Sequence, residues 1–285
     1  MKILRAAMIG DVVGEPGLEV LELRLPAIIR EHALDFVVVN GENAADGFGL
    51  TETALKRIIA AGADVVTSGN HVWEKRDFWP VLDTEERVLR PANYPSGSPG
   101  QGQARIEKNG VSWIVVNLQG RELMNPIDCP FRGFDAIMDV QLGPATHSHP
   151  LLDIQGDVNG FLPVVLVDFH AESTREKEAL AYYVDGRASV VAGTHTHVQT
   201  ADERVLPKGT AYITDLGMTG ITGSVIGMDP GICLDRARKQ VLYRMEPARK
   251  PPAGETAAVG TDGTAQGIIV EINGSNGTAL SIRRI

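Results

Sequence analysis

A chain of 285 residues is long enough for one large α/β domain with a small addition. Its 43% hydrophobic and 22% charged residues suit a soluble globular core and exclude a largely disordered chain. The formal net charge of -9 argues against a broad basic surface for duplex DNA or an anionic membrane, but not against a small anionic substrate, because a bound metal pair reverses charge locally.

From the N-terminus, "ILRAAMIGD" is an apolar run stopped at Asp11, too short for a signal segment or a membrane helix. Residues 17–33 carry a helical pattern that Pro26 is expected to kink or break. "DFVVVNGEN" reads as a strand ending at Glu42 and Asn43. "TETALKRIIAAGA" puts Leu55, Ile58 and Ile59 on one helical face, with Thr51 as N-cap and Gly62 as stop. "ADVVTSGNH" ends at Asn70 and His71, and "SWIVVNLQG" at Asn117 and Gln119. Residues 138–161 lack periodicity and read as a long loop. "PVVLVDFH" ends at His170, and "STREKEALAYYVDGR" then opens with Ser173 and Glu176 at capping-box spacing. "ASVVAGTHTH" ends at His195 and His197, and "TAYITDLG" at Asp215. Residues 247–266 read as a flexible connection, and "GIIVEI" and "ALSIRRI" as a closing hairpin around "NGSNG".

Strands rich in Val and Ile on both faces, alternating with helices, belong to the layered α/β class. Sites in such sheets form outside the carboxyl ends of strands, where the polar residues of this chain gather. Cys129 and Cys233 are far apart without a CxxC pattern, which reads as two reduced thiols in a cytoplasmic protein.

Taken singly, each polar residue has an ordinary structural explanation. Asp11 serves equally well as a cap, Glu42, Asn43 and Asn70 as turn residues, and His170 as a hydrogen-bonded core histidine. His195 and His197 are two apart, so on a regular strand they face opposite sides. They serve one ion only if the chain turns there, or two neighbouring ions. Together the case changes: His71, His170, His195, His197, Asp11 and Glu42 all fall at strand ends. Imidazole, carboxylate and amide ligands without thiolate suit Mn, Fe or Zn, and the set is too large for one tetrahedral ion. It fits two ions sharing a carboxylate. His32, in a helical surface stretch, and His147 and His149, in "ATHSHP", have no strand end to aim them and are read as decoys.

"GNH" at 69–71, the isolated His170 and "GTHTH" at 193–197 resemble the calcineurin-like metallophosphoesterase superfamily. "IGDVVGEPG", "NGENAADGFGLT", "GNHVWEK", "RPANYP", "VNLQGR", "DFHAE", "DGRASVVAGTHTHVQTAD" and "GTAYITDLGMTG" resemble its YmdB-like phosphodiesterases over most of residues 3–229. The resemblance implies a layered metallophosphoesterase-type β-sandwich flanked by helices. We expect residues 1–216 as its core, closed by strands 268–285, with a small cap from 217–267. It also implies one metal on Asp11, Glu42, Asn43 and His197, and a second on Glu42, Asn70, His170 and His195, Glu42 bridging. Iron or manganese is implied, with zinc as an alternative. The usual histidine of the first motif is absent here, where Asp11-Val12-Val13 stands, and Gly41-Glu42-Asn43 replaces the usual Gly-Asp.

The implied chemistry is phosphodiester hydrolysis, with 2',3'-cyclic nucleotides favoured. A bridging hydroxide would attack phosphorus in line, and His71 would protonate the leaving oxygen. The alternative for His71 is to orient a ligand or the phosphate. Competing readings of the chain are a phosphomonoesterase or protein phosphatase with the same metals, and a non-catalytic nucleotide-sensing scaffold. RNA binding lacks an aromatic and basic platform, aromatic residues being only 5%. The expected partner is a small phosphodiester, without duplex nucleic acid or membrane; homo-oligomer formation is left open.

Overall fold

The computed structural model describes residues 2–142, 163–249 and 263–285. The chain enters on β1 (Ile3–Ile9), forms a short β2 (Asp11–Val12) and turns into α1 (Gly14–His32), followed by β3 (Phe36–Asn40), α2 (Glu52–Ala61) and β4 (Val65–Thr67). After α3 (Trp79–Thr84) come β5 (Gln103–Lys108), β6 (Val111–Gln119), α4 (Pro130–Leu142), β7 (Val164–His170), α5 (Thr174–Tyr183) and β8 (Val190–Thr194). The remainder holds β9 (Arg204–Val205), β10 (Ala211–Ile213), β11 (Met218–Ile221), α6 (Pro230–Lys239), β12 (Gly263–Ala265), β13 (Gly267–Asn273) and β14 (Ala279–Arg284). Every strand run read from the sequence forms a strand, and β13 and β14 form the expected antiparallel hairpin.

Among the described residues two large sheets form, ordered β14-β13-β1-β3-β4 and β5-β6-β7-β8-β10-β9, beside a small one ordered β12-β11-β2. Within them β1, β3 and β4 run parallel, as do β6, β7, β8 and β10. Side-chain alternation then decides the layers. Leu4, Ala6 and Met8 of β1 share one core with Trp113 and Val115 of β6 and Val164 and Leu166 of β7. The intervening Ala7 and Ile9 pack on Leu18, Leu21 and Leu25 of α1. Val165, Val167 and Phe169 pack on Leu180 of α5 and on Phe134 and Met138 of α4. The result is helix, sheet, sheet, helix: the layered α/β sandwich flanked by helices that the resemblance implies. Trp113 stacks on Phe36 at 4.7 Å and 11° between ring planes, tying the two sheets together.

The helix ends follow local chemistry. The Thr51 hydroxyl accepts from the Ala54 amide, and Gly62 ends α2 at φ 119°. Ser173 accepts from the Glu176 amide, but Glu176 turns its carboxylate to the Arg121 and Glu122 amides, so only half of the capping box forms. Pro26 lies inside α1 without ending it. Leu21 and Leu25 before it and Ile28 and Ile29 after it pack on the same core, which holds the helix across the missing hydrogen bond.

Two expectations of irregular chain are corrected. Residues 138–142 belong to α4, because Phe134 and Met138, one turn apart, bury against the second sheet. Residues 143–161 of that stretch, including His147 and His149, lie outside the described residues. Residues 263–265 are β12, paired antiparallel with β11, where a flexible connection was expected; residues 250–262 are outside the described residues. In the 217–267 segment, β11 runs parallel to β2, and Met218 and Met228 pack on Val13. Helix α6 buries none of its side chains. His32 sits in the last turn of α1 against Arg283, and both cysteines are unpaired. Among the described residues no helix is long and apolar enough to cross a membrane.

Trp113→Ala removes the largest side chain of the sandwich interior. We expect it to lower unfolding free energy by about 3–5 kcal/mol in denaturant titration; a loss below about 1 kcal/mol would mean that the sheets close over the gap.

Candidate metal centre

Asn40 Nδ2 of the first sheet donates to Asp168 Oδ2 of the second at 3.0 Å, and the Thr67 hydroxyl donates to the same oxygen. The parallel strands of both sheets therefore run out on one rim. Asp11 follows β1, Glu42 and Asn43 follow β3, Asn70 and His71 follow β4, His170 ends β7, and His195 and His197 follow β8. Every candidate from the sequence stands on this rim.

The chain does turn at the histidine pair. His195 has φ 99° and His197 φ 62°, a backbone region that side chains other than glycine seldom occupy. A buried ion pair holds this turn. Asp215 Oδ2 takes Lys177 Nζ at 2.7 Å and the Thr196 amide at 3.1 Å, with both ionic side chains at most 1% exposed. Gly193 leaves the room needed, since a Cβ there would lie 1.8 Å from the Thr214 carbonyl oxygen.

The outer hydrogen bonds decide where the ring protons sit. His197 Nδ1 lies 2.8 Å from the Ile226 carbonyl, which only accepts, so Nδ1 carries hydrogen and Nε2 presents a lone pair. That Nε2 is 3.8 Å from Asp11 Oδ1. His195 Nε2 pairs with Glu172 Oε2 at 3.2 Å, which leaves Nδ1 bare toward His170. His170 Nε2 lies 3.0 Å from Glu42 Oε1, 3.0 Å from Asn70 Oδ1 and 3.0 Å from His195 Nδ1. One atom each from Glu42, His170 and His195 lies within 4.8 Å of the others. Asp11 Oδ1, Glu42 Oε1 and Asn43 Oδ1 are buried without a hydrogen-bond partner. Glu42 Oε1 is close to His170 Nε2 but outside hydrogen-bond geometry, so charge rather than a directed bond joins them. Asn43 is pinned by its amide nitrogen, which donates to the Gly47 carbonyl at 2.9 Å. A Cβ on Gly69 would lie 2.2 Å from His170 Cδ2 and 2.4 Å from Glu42 Oε2, so the cradle needs glycine there. Buried acceptors converging without donors are what a cation requires, and the donor set suits Mn, Fe or Zn.

His71 stands beside this convergence. Its amide donates to Glu42 Oε2 at 3.2 Å and its Nδ1 lies 3.4 Å from Glu74 Oε1. Its ring packs edge-on to Phe48 at 4.9 Å, and its side chain keeps 26% exposure.

Burial and neighbouring charges displace the ionisations of these groups. Burial raises Asp11 to about 6, with His197 and His170 opposing. Burial would raise Glu42 also, but the charge of His170 overrides it and holds Glu42 at about 2. Burial opposes a charged His170, yet Glu42 raises it to about 9. Burial and then repulsion from His170 depress His195 to about 3. Burial also raises Asp168, against the hydrogen bond from Thr67. Opposite charges on Glu42 and His170 thus stabilise each other in the buried site.

Sequence reasoning missed the layer beneath. Asn40, Thr67, Asp168 and Thr194 are buried and mutually hydrogen-bonded under the site, and Glu172, Lys177 and the Ile226 carbonyl hold its histidines. A charged residue inside the apolar run "VVLVDFH" was the one available signal.

The family model described as YmdB-like protein matches residues 7–285. The chain belongs to the YmdB-like family. A Bacillus subtilis (strain 168) relative named 2',3'-cyclic-nucleotide 2'-phosphodiesterase is 40% identical over 282 residues, 99% of this chain and 96% of the relative. A crystal structure of a hypothetical protein from Thermus thermophilus superposes with TM-score 0.80 at 39% identity, covering 99% of this chain and 98% of that one. A Mycoplasma pneumoniae structure, titled a novel phosphatase, has TM-score 0.82 at 29% identity over 100% and 93% of the two chains. This YmdB-like chain is a hydrolase.

A cation bound at His170 Nε2 must displace the proton that the charge of Glu42 favours on that ring. Metal affinity should rise with pH until His170 is neutral, near 9, and fall further below about 6 as Asp11 is protonated. Near neutral pH, calorimetry in buffers of different ionisation enthalpy should show roughly one proton released at this subsite. Affinity that stays flat between those pH values contradicts the assignment.

Proposed function

We propose that this chain is a dinuclear-metal phosphodiesterase acting on small phosphodiesters, 2',3'-cyclic nucleotides first among them. The observation that carries the proposal is the set of unpartnered buried oxygens on Asp11, Glu42 and Asn43, with Asp11 and Glu42 close to His197 and His170 and with His195 Nδ1 bare toward His170. In this reading Asp11, Asn43 and His197 hold one ion, Asn70, His170 and His195 the other, and Glu42 serves both. Iron or manganese is the preferred metal. The choice of substrate is supported by the name of the Bacillus subtilis relative, which matches 99% of this chain. The residues 217–267 are read as a small cap, supported by the Ile226 carbonyl on His197 and the packing of Met218 and Met228 on Val13.

A metal pair bound here would supply positive charge for the phosphoryl group and a water of lowered pKa. The protein's own residues do the rest. Glu42 and Asp11 bring the negative charge that holds cations in place. Phe48 restrains the His71 ring, and Glu74 accepts the hydrogen bond from its Nδ1. When the ring carries a hydrogen on both nitrogens, Nε2 is the one to deliver its proton to the leaving alkoxide, which leaves a neutral ring with Nδ1–H. Asn70, adjacent in sequence, points its oxygen to His170 Nε2, so the two neighbours divide proton transfer and metal binding.

A loaded crystal should place two ions about 3.5–4 Å apart. His71→Ala should keep both ions and lose roughly 10²–10⁴ in rate on a substrate with a poor alkoxide leaving group. The loss should shrink for p-nitrophenolate, which leaves without needing a proton. Asn70→Ala should instead lose metal and slow both substrates alike. Metal content and two rate constants per variant decide; equal slowing in His71→Ala makes His71 a clamp on the phosphate.

A further inference from the structure

Asp168 is 1% exposed, its carboxylate is met by hydroxyl and amide donors, and it lies two residues from His170 on the same face of β7. Its oxygens receive three donors. Oδ2 takes Asn40 Nδ2 at 3.0 Å and the Thr67 hydroxyl; Oδ1 takes the Thr194 hydroxyl at 2.7 Å. Thr194 has one hydroxyl hydrogen, and the carboxylate claims it. The lone pairs of Thr194 Oγ1 are left to face His170 Nδ1 at 3.0 Å, so that nitrogen must supply the hydrogen. The lone pair of neutral His170 is thereby directed to Nε2, where Glu42, Asn70 and His195 converge. Asn40 extends the same frame, because its Oδ1 accepts from the Glu42 amide at 3.1 Å.

We infer that Asp168 and Thr194 are positioning residues that fix the tautomer of His170, through a carboxylate to hydroxyl to imidazole relay set between the two sheets. The relay explains why the turn reads Gly-Thr-His and why a charge interrupts a buried strand. In its consequence for metal it rests on the proposed function; in its hydrogen-bond direction it does not.

The test uses the full chain with Thr194→Val, Thr194→Ser and Asp168→Asn. Long-range proton–nitrogen NMR of metal-free protein, at alkaline pH where the ring is neutral, should find the His170 proton on Nδ1 in the parent and in Thr194→Ser. In Thr194→Val the proton should divide between the two nitrogens. In Asp168→Asn the carboxamide donates to Thr194 and the order reverses, putting the proton on Nε2. Competition titration with zinc should show the ion at Glu42, His170 and His195 weakened about 10–100-fold in Thr194→Val and Asp168→Asn, with Thr194→Ser close to the parent. If Asp168→Asn does not fold, the two Thr194 variants carry the test. A parent with the proton on Nε2, or a Thr194→Val that binds both ions as the parent does, overturns the relay. A parent with the proton on Nδ1 that binds no zinc supports the relay and rejects the metal reading alone.

Discussion

The buried carboxylate of Asp168 is the constraint on which the rim depends. A carboxylate removed from water must be met by donors, and here they come from β3, β4 and β8 together. That requirement locks the two sheets in one relative position at the level where their strands end. Below it the interior is apolar, with Leu166, Val115 and Met8 in contact across the sandwich. Above it the side chains are Glu42, His170 and Asn70, with little but acceptors facing one another. One column of alternate residues on β7, from Val164 through Leu166 and Asp168 to His170, passes from core to hydrogen-bonded support to site.

The site is assembled at a local cost. His195, His197 and Ile226 all hold positive φ, and for a β-branched residue such as Ile226, at φ 52°, this is a strained conformation. The surroundings over-determine them. Ile226 lies in a two-residue turn closed by mutual hydrogen bonds of Val225 and Met228, and its carbonyl is engaged by His197. The Lys177–Asp215 pair grips the Thr196 amide from beneath, where removing either partner would leave an uncompensated buried charge. Strain, a buried ion pair and unpartnered acceptor oxygens thus gather within one rim.

Family membership and site geometry are separate supports. The match over residues 7–285 places the chain among YmdB-like proteins, and the 39% identical Thermus thermophilus structure shares its fold. The directions of the histidine protons come from this chain's own hydrogen bonds to Glu172, Thr194 and Ile226. Those bonds are what turn a collection of polar strand ends into a cation-binding arrangement.

The sequence by itself determined the strands, because runs such as "DFVVVNGEN" and "PVVLVDFH" are apolar on both faces and bury wherever the chain folds. It also determined that polar residues cluster at strand ends, and the caps at Thr51 and Ser173, which depend only on neighbouring backbone. Short or half-exposed strands were not legible: β2 and β12 pair with β11 far along the chain, and β5, though joined to β6 by a tight turn, has a mostly polar and half-exposed sequence, QARIEK. Helix α4 was not read at all, and its last turn was assigned to a loop, because the burial of Phe134 and Met138 against the second sheet is a tertiary contact. Tertiary structure alone decided which strand ends meet, how the chain turns between His195 and His197, and that Asp168 belongs beneath the site. Those outcomes depend on contacts between residues distant in sequence, from Thr196 with Asp215 to Asn40 with Asp168 and His170 with Asn70. Local periodicity carries no information about such pairs; only the packing of one sheet on the other brings them together.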